Sequence, residues 1–315
     1  MGPLSRIPPN LASVLFEEAP DAVLVVDAAG VIRLVNAEAL RLSGYEKGEL
    51  IGQPVEVLVP EAARSAHRQR RAGVDATLGR RPMGDPNSKL ALRSKAGESI
   101  PVEIALSHVR DDEGVFWSMA VVRDVRERRA MEDRVWRLAN EDSLTGVYSR
   151  GYFNEELSRL ERGRAEHIGV IVTDVDFMKE TNDTLGHAAG DELLRASAAA
   201  LRASVRSEDV VARIGGDEFA ALLPGADHSV VEAVLARTRS AVGLYNAAGA
   251  AVPLRMSMGG AVSLGGRAIR VALKDADAAM YADKRTRLGV QSTRPRRLSE
   301  ITNASVPAAA VTPKR

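Results

Sequence analysis

The chain has 315 residues, 45% of them hydrophobic and 27% charged, which is typical of a globular protein with two domains and sizeable cores. The 43 Lys and Arg residues balance the 42 Asp and Glu residues and only 4% of residues are aromatic, so neither charge nor stacking capacity indicates a nucleic-acid or membrane partner. The lack of cysteine excludes disulfides, thiolate metal sites and cysteine catalysis, and without a long apolar run or a signal peptide we expect a cytoplasmic protein.

Strands and turns dominate the first 124 residues. A short amphipathic segment at 11–18 predicts a helix that belongs to an N-terminal cap over residues 1–18. The apolar runs AVLVVD and VIRLVN, joined by the turn AAG, predict a hairpin. Short helical pieces broken by Gly and Pro follow, and then the strands KLALRS, IPVEIALSHV and VFWSMAVVRDV. This order predicts a small α+β domain over residues 19–124.

Residues 125–142 change in character, because they are dense in charge and contain no Gly or Pro. They predict a helix in which four residues follow a 4-3-4 spacing: Met131, Val135, Leu138 and Asp142. Such a stripe is typical of a coiled coil, although two heptads also fit a helix lying on either domain. The position between two domains favours a dimeric helical linker over residues 125–141.

Strands and helices alternate from Asp142 to about Val290, and the tail at 292–315 is predicted to be disordered. HIGVIVTDVD (167–176) predicts a buried strand that ends in two acids, and VVARI and FAALL predict a hairpin with two more acids at its tip. Together these acids would crowd up to four carboxylates, which repel one another and therefore call for a cation such as Mg²⁺. Each pattern alone is also common in ordinary hairpins and solvated strand ends.

Two bare glycines, Gly215 and Gly216, precede the acids of the hairpin. Without a Cβ they would let a polyphosphate nucleotide lie against the backbone. We therefore expect them to contact the substrate.

The segment 142–291 contains five motifs in a fixed order: DSLTGVYSR (142–150), DVDFMKETNDTLGHAAGD (174–191), GGDEF (215–219), MSMGGA and DAAMYADK (277–284). With these motifs in this order, the segment resembles the GGDEF-domain diguanylate cyclases. The resemblance implies a mixed sheet flanked by helices, like the palm of polymerases and nucleotide cyclases. It also implies that two such domains in a homodimer condense two GTP into cyclic di-GMP and release two pyrophosphates.

The resemblance also implies the roles of single residues. The implied ligands of Mg²⁺ or Mn²⁺ are Asp174, the carbonyl of Val175, and Asp217. The implied catalytic acids are Asp217 and Glu218, with Glu218 either on the metal or helping to remove the hydroxyl proton. The implied phosphate contacts are the backbone amides of Phe177, Met178 and Lys179, together with Lys284. The implied guanine readers are Asn182 and Asp191, and an acid at 191 favours GTP because it cannot pair equally with adenine.

The segment Arg206-Ser-Glu-Asp209 matches the R-x-x-D product-inhibition motif of the family at the family's distance from GGDEF. Arginine can bind guanine or phosphate with two hydrogen bonds, and aspartate can accept from guanine. Alone, the pattern also describes an ordinary ion pair at a helix end. We expect an inhibitory site for cyclic di-GMP here, completed by Arg237 from the neighbouring domain.

Three residues depart from the family pattern. Ser149 stands where the family has Asn, and Met178 where it usually has Phe, and both changes look tolerable. Leu288 occupies the position of a phosphate-binding arginine, so that Arg287 or Arg285 would have to replace it. A catalytically silent module that binds GTP or cyclic di-GMP therefore stays as the alternative function.

Residues 19–124 resemble a PAS domain through VVDAAGVIRLVN, GYEKGELIGQ, KAGESIPVEIALS and VVRDVRERR. This resemblance implies the fold of a sensor but leaves its ligand unknown, because PAS pockets hold haem, flavin, metabolites or nothing. His67 is a candidate haem ligand, although a single His in an Arg-rich helix is more often a surface residue. No phosphodiesterase segment of the EAL type is present, so we expect synthesis and not degradation.

Overall fold

The computed structural model describes residues 10–72, 81–82, 90–163, 166–264 and 268–289. The chain divides into two compact units, Met1–Arg134 and Val135–Arg315, and each is described by itself. The predicted tail at 292–315 and the first nine residues of the predicted cap lie outside the described residues. No described helix is long and apolar enough to cross a membrane.

The strands of the first unit are β1 (Ala22–Asp27), β2 (Ile32–Val35), β3 (Arg81–Pro82), β4 (Ala91–Arg93), β5 (Ser99–Arg110) and β6 (Phe116–Asp124). They form an antiparallel sheet in the order β2-β1-β6-β5-β3, with β4 also paired to β5. Its helices are α1 (Leu11–Glu17), α2 (Ala37–Ser43), α3 (Lys47–Leu50) and α4 (Arg64–Ala72), with short 3₁₀ turns at Val55–Leu58 and Glu61–Ala63. The predicted β1–β2 hairpin and the three later strands are present.

Asn36 ties the first hairpin to the helix that follows it. Its fully buried side-chain oxygen accepts hydrogen bonds from the backbone amides of Val23 and Ala39, so that it joins β1 to the first turn of α2. An Asn at this N-cap position satisfies a helix amide that would otherwise lack a partner. Leu24, Ile100 and Val122 of the sheet then pack beneath the helices as a buried core.

Helix α5 (Arg126–Asn140) covers most of the predicted linker. The prediction that Asp142 belongs to its apolar stripe is wrong. The helix ends at Asn140, and the Asp142 carboxylate accepts instead from the backbone amide and the hydroxyl of Thr145. The side chains of Met131, Val135 and Leu138 are 59%, 58% and 73% exposed.

The strands of the second unit are β7 (Tyr148–Ser149), β8 (His167–Val175), β9 (Val210–Arg213), β10 (Glu218–Pro224) and β11 (Met256–Leu264). They form a mixed sheet in the order β11-β8-β10-β9-β7, in which only β7 and β9 are parallel. Its helices are α6 (Arg150–Arg162), α7 (Met178–Leu185), α8 (His187–Arg202), α9 (His228–Ala247) and α10 (Ile269–Leu288).

Helices cover both faces of this sheet, which explains why β8 is apolar almost throughout. Ile171 and Val175 pack into a core formed with α8 and α9, whereas Val170 and Val172 pack into a second core formed with α6 and α10. A strand buried on both faces reads as a continuous apolar run. Asp174 at its end, with Asp176 just beyond it, therefore stands out from this apolar run.

Candidate functional site

The two acid motifs predicted from the sequence meet at one edge of the second sheet. Strand β8 pairs antiparallel with β10, and Asp174 lies directly opposite Glu218 in this register. The backbone amide of Val175 donates to the carbonyl of Asp217 over 2.9 Å, which holds the tip of the hairpin against the end of β8. The structure therefore places Asp174, Asp217 and Glu218 at the same end of β8 and β10.

The two glycines of the hairpin, Gly215 and Gly216, differ in what surrounds them. A Cβ at Gly215 would lie 2.4 Å from the Glu218 carboxylate and 3.1 Å from its Cβ, so a side chain there would displace an acid of the site. A Cβ at Gly216 would meet no heavy atom within 4 Å. The space beside Gly216 is thus open to a ligand, in line with the expectation that substrate approaches the backbone here.

Lys284 of α10 reaches the acids from the side. Its ammonium forms an ion pair with Asp174 and lies 3.8 Å from Asp176, whose carboxylate also accepts from the hydroxyl of Ser257 over 2.8 Å. Burial alone would lower the pKa of Lys284, but the neighbouring carboxylates outweigh burial and raise it. The lysine therefore carries its charge at the place where phosphates were expected.

Asp174 is 9% exposed, and its electrostatics indicate a site in need of positive charge. The pKa of the Asp174 carboxyl is raised to about 6 because burial and the carboxylates of Asp217 and Asp176, which raise it, outweigh the Lys284 ammonium, which lowers it. Burial also raises the pKa of Asp176. Carboxylates that are desolvated and repel one another favour the binding of a cation.

The donor set fits a hard divalent cation. Two carboxylates, Asp174 and Asp217, and the backbone carbonyl of Val175 are all oxygen donors, which Mg²⁺ prefers. Among the described residues, no three His, Asp or Glu side chains converge as a complete metal cage. A small protein donor set is what Mg²⁺ needs when substrate phosphates and water fill the rest of its octahedron.

The turn after β8 carries the backbone amides predicted to bind phosphate. Phe177 is in the left-handed region with φ 61°, the only non-glycine residue with positive φ in the described part of the chain, and it precedes the first turn of α7. Such a conformation is uncommon for a bulky residue and is often found at functional sites. The buried side chain of Met178 packs into the core, whereas that of Lys179 is exposed. The first amides of a helix have no partner within it and favour anions.

The two predicted guanine readers lie next to each other on neighbouring helices. The side-chain oxygen of Asn182 is buried and has no hydrogen-bond partner. A Cβ on Gly190 would lie 2.0 Å from this oxygen, so the Asn182 side chain packs directly against Gly190, one residue before Asp191. A buried acceptor without a donor is unusual and fits a site that receives one from a ligand.

The R-x-x-D motif forms a closed turn beside a cavity. The backbone amide of Arg206 donates to the Asp209 carboxylate over 2.8 Å, and both residues line a cavity of about 260 Å³ with Tyr148 and Arg202. Arg237 belongs to the same unit, where its guanidinium donates to the carbonyl of Ser204 just before the motif. Arg237 therefore already lies near the motif within its own unit. Its contribution to the site of a neighbouring domain stays a prediction.

Sequence reasoning missed a bridge behind the hairpin. The Arg213 guanidinium donates to the carbonyl of Gly216 over 2.6 Å and contacts the Asp142 carboxylate at 3.3 Å. It thus links the loop that follows α5 to the turn that carries the acids. The only sequence signal was an arginine two residues before the paired glycines.

The departures from the family pattern have visible local consequences. Ser149 is the N-cap of α6, where its hydroxyl accepts from the backbone amide of Tyr152, so the change is tolerated as expected. Arg287 donates to the carbonyl of Met256 over 2.6 Å and lies 3.8 Å from Asp283. One of the two suggested substitutes for the missing arginine is therefore partly engaged by the protein itself.

His67 in the first unit is not a simple surface residue. Its side chain is 17% exposed, and its Nδ1 lies 3.0 Å from Oε1 of the buried Glu56, which also accepts from Arg71 over 3.2 Å. These contacts give His67 a structural role in an ion cluster. A haem-ligating role, which would need this nitrogen or its neighbour, has no support from them.

Two family models match the chain. The first, described as "Diguanylate cyclase, GGDEF domain", matches residues 139–288, and the second, described as "PAS fold", matches residues 11–125. The order and the families are those expected from the sequence.

Individual relatives agree with these matches. An uncharacterized signaling protein of Caulobacter vibrioides is 34% identical over 286 residues, which is 85% of this chain and 33% of that protein. The diguanylate cyclase TpbB of Pseudomonas aeruginosa is 38% identical over 177 residues, which is 53% of this chain and 39% of that protein. A solved structure of the TpbB GGDEF domain is 36% identical, covers 46% of this chain and 89% of that one, and has a TM-score of 0.40. The chain thus spans well under half the length of these curated relatives.

Proposed function

Since this chain is a PAS domain followed by a GGDEF domain of the diguanylate cyclase family, we propose that it condenses two GTP into cyclic di-GMP and two pyrophosphates. The observation that carries the proposal is the pairing of Asp174 with Glu218 across β8 and β10, with the Lys284 ammonium beside them. This pairing supports a site at which acids, a lysine and an exposed helix start surround a polyphosphate.

In the proposed reaction the 3′-oxygen of each GTP attacks the α-phosphorus of the other. A new P–O bond forms, the bond to pyrophosphate breaks, and the hydroxyl proton leaves to a base. A divalent cation held by Asp174, Asp217 and the carbonyl of Val175 would neutralise phosphate charge and lower the pKa of the hydroxyl. Glu218 either joins that ligand set or accepts the proton, and its place opposite Asp174 is compatible with both roles.

The remaining residues bind and orient the nucleotide. Lys284 and the amides of Phe177, Met178 and Lys179 would contact the β- and γ-phosphates, where positive charge and free N–H groups favour anions. Asn182 and Asp191 would accept hydrogen bonds from guanine, which adenine cannot supply in the same pattern. The buried, unpartnered oxygen of Asn182 supports this assignment.

Two GTP-loaded domains must face each other, because one domain is proposed to hold one GTP. We infer that α5 pairs with its copy in a homodimer, as its exposed Met131, Val135 and Leu138 favour. The PAS signal would then act on this pairing, and the proposed boundaries are 19–124, 125–141 and 142–291. Bound product would inhibit at Arg206, Asp209 and Arg237, which line or adjoin one cavity.

The second candidate is a silent module that binds GTP or cyclic di-GMP without chemistry. The observation in its favour is Leu288 in place of a phosphate-binding arginine. The acids of the hairpin and Asp174 count against it, because a pure receptor has no need of a buried carboxylate cluster.

The test is product formation by purified protein and two matched variants. The protein is freed of nucleotide, given GTP and Mg²⁺, and analysed for cyclic di-GMP by mass spectrometry. We expect Asp217→Asn and Glu218→Gln to lower the rate at least about 100-fold, the scale of a lost catalytic group, with an unchanged Tm. Full activity in either variant would contradict its assignment, and GTP binding without product in the wild type would favour the silent module.

A further inference from the structure

The GGDEF domain has lost one arginine from its family pattern, at Leu288, but carries another, Arg255, directly before the strand β11 that packs against α10. The geometry of α10 against β11 relates the two places. A Cβ on Gly259 would lie 2.1 Å from the backbone nitrogen of Met280, so these two residues stand at the same level. Four residues further along α10, Lys284 contacts Asp174. Asp174 lies directly opposite Ser257, which is two residues before Gly259 on β11.

This step repeats. Four residues along the helix advance it by about 6 Å, and two residues along a strand advance it by about 6.6 Å. From Met280 to Lys284 and from Gly259 to Ser257 the two elements therefore stay in step while they run in opposite directions. A further four residues along α10 and a further two residues back from Ser257 therefore place Leu288 at the level of Arg255. Strand residues two apart share a face, so Arg255 is on the α10 side with Ser257 and Gly259.

Arg255 also lies against the turn that is proposed to bind phosphate. Its carbonyl accepts from the backbone amide of Asp176 over 3.0 Å, and its guanidinium carbon lies 5.5 Å from the centroid of the Phe177 ring. The ring face attracts the cation and so holds it beside Phe177, the residue that precedes α7. The residue is exposed, and no carboxylate of the described residues forms an ion pair with it.

We propose that Arg255 binds the triphosphate of the nucleotide and takes the place of the arginine missing at Leu288. This inference rests on the proposed binding of GTP and names a residue that neither the motifs nor the family pattern assign. A guanidinium presents paired N–H donors that match phosphate oxygens, and it keeps its charge at any working pH. Supplied from the residue before β11, it reaches the same level of the site as a guanidinium on α10 would.

Arg287 is a weaker candidate for this role. It already donates to the carbonyl of Met256 over 2.6 Å and lies 3.8 Å from Asp283, so binding phosphate would cost it those contacts. Arg255 loses no ion pair among the described residues when it binds an anion.

The test compares a guanine nucleotide that carries a triphosphate with one that carries a single phosphate. Calorimetry with Mg²⁺ measures binding of 3′-deoxy-GTP, which lacks the attacking hydroxyl and cannot be condensed, and of GMP. We expect Arg255→Ala to weaken 3′-deoxy-GTP about 10- to 100-fold, equivalent to about 1.4–2.8 kcal/mol, and GMP by less than about twofold. The matched control Arg239→Ala, on α9, should change neither affinity.

A second variant separates phosphate binding from support of the Phe177 turn. Arg255→Ala combined with Leu288→Arg returns a guanidinium to the same level from the helix, and it should recover most of the lost triphosphate affinity. Equal losses for 3′-deoxy-GTP and GMP, no loss at all, or no recovery in the double variant would overturn the proposal. A selective loss of triphosphate binding in a protein that makes no cyclic di-GMP would uphold it while the proposed catalysis failed.

Discussion

The buried oxygen of Asn182 is the clearest sign, at the scale of one residue, that the second unit receives a ligand. It has no hydrogen-bond partner, and it lies against Gly190 at the place where a Cβ would stand. A buried acceptor without a donor costs free energy, which a guanine N–H would recover.

We expect Asn182→Ala to weaken 3′-deoxy-GTP about tenfold, the effect of one good hydrogen bond, with an unchanged or slightly higher Tm. Asn154→Ala is the matched control, because the Asn154 oxygen is also buried without a partner but lies on α6. Calorimetry and a melting curve measure both effects. A similar loss of affinity in both variants would show that Asn182 acts only through the fold.

Glu56 is a residue whose charge stabilises the PAS domain. Burial opposes its charged form, but the contacts with His67 and Arg71 outweigh burial and lower its pKa below 4.5. A lowered pKa means that the stabilisation is present above about pH 4.5 and is lost as the pH falls through the folded-state value.

Glu56→Gln should therefore lower the free energy of unfolding of the PAS domain at pH 7 by about 1–3 kcal/mol, because charged hydrogen bonds are lost. This destabilisation is measured as a lower Tm. The difference from the wild type should shrink as the pH falls below about 4.5. Glu98→Gln, at an exposed partner of Arg126, is the control and should change the Tm little. A difference that stays constant down to pH 3.5 would contradict the account of Glu56.

At the scale of elements, the contact of α10 with β11 positions Lys284 and, by the same step, Arg255. The contact is close because Gly259 has no side chain: a Cβ there would lie 2.1 Å from the nitrogen of Met280 and 2.3 Å from the carbonyl oxygen of Ala276. Both are backbone atoms, so the helix itself would have to move.

We expect Gly259→Ala to destabilise the GGDEF domain by about 1–3 kcal/mol, as overpacking does, and to weaken nucleotide binding as α10 shifts. Gly243→Ala is the matched control: it lies inside α9 with open space at its Cβ and should stabilise by up to about 1 kcal/mol. Denaturant unfolding measures both. A neutral Gly259→Ala would contradict the close contact.

Sequence reasoning reached the elements of the site because their signals are local. The apolar run of β8 and the glycine pair before Asp217 predicted a strand and a hairpin that the structure contains. The end of α5 was misjudged, since the 4-3-4 spacing continues to Asp142 while the Thr145 turn claims its carboxylate. The contact of Arg213 with the Gly216 carbonyl depends on the sheet register, which the sequence does not specify.

At the scale of the whole molecule, the proposed regulation passes through α5. The helix carries charges on most of its surface, and its exposed apolar residues are those a partner helix would cover. In the proposed regulation, a signal in the PAS domain changes the rate by changing how two GGDEF domains meet.

Leu138→Glu should therefore weaken dimerisation at least about tenfold, because it places a charge in the apolar seam, and it should lower cyclase activity at low protein concentration. Arg137→Glu is the control on the same helical turn, outside the stripe. Sedimentation velocity and initial rates measured over a range of protein concentrations test both variants. If Leu138→Glu left dimerisation unchanged, the dimer interface would lie on another surface and the inference about α5 would be wrong.

The central claim is that the second unit joins two GTP molecules, and the stoichiometry of the products tests it most directly. Nucleotide-free protein is given GTP and Mg²⁺, and cyclic di-GMP and pyrophosphate are quantified over the same time course. The account predicts two pyrophosphates for each cyclic di-GMP, with no other guanine product accumulating. Binding of GTP with neither product formed, or release of phosphate with no cyclic di-GMP, would contradict it.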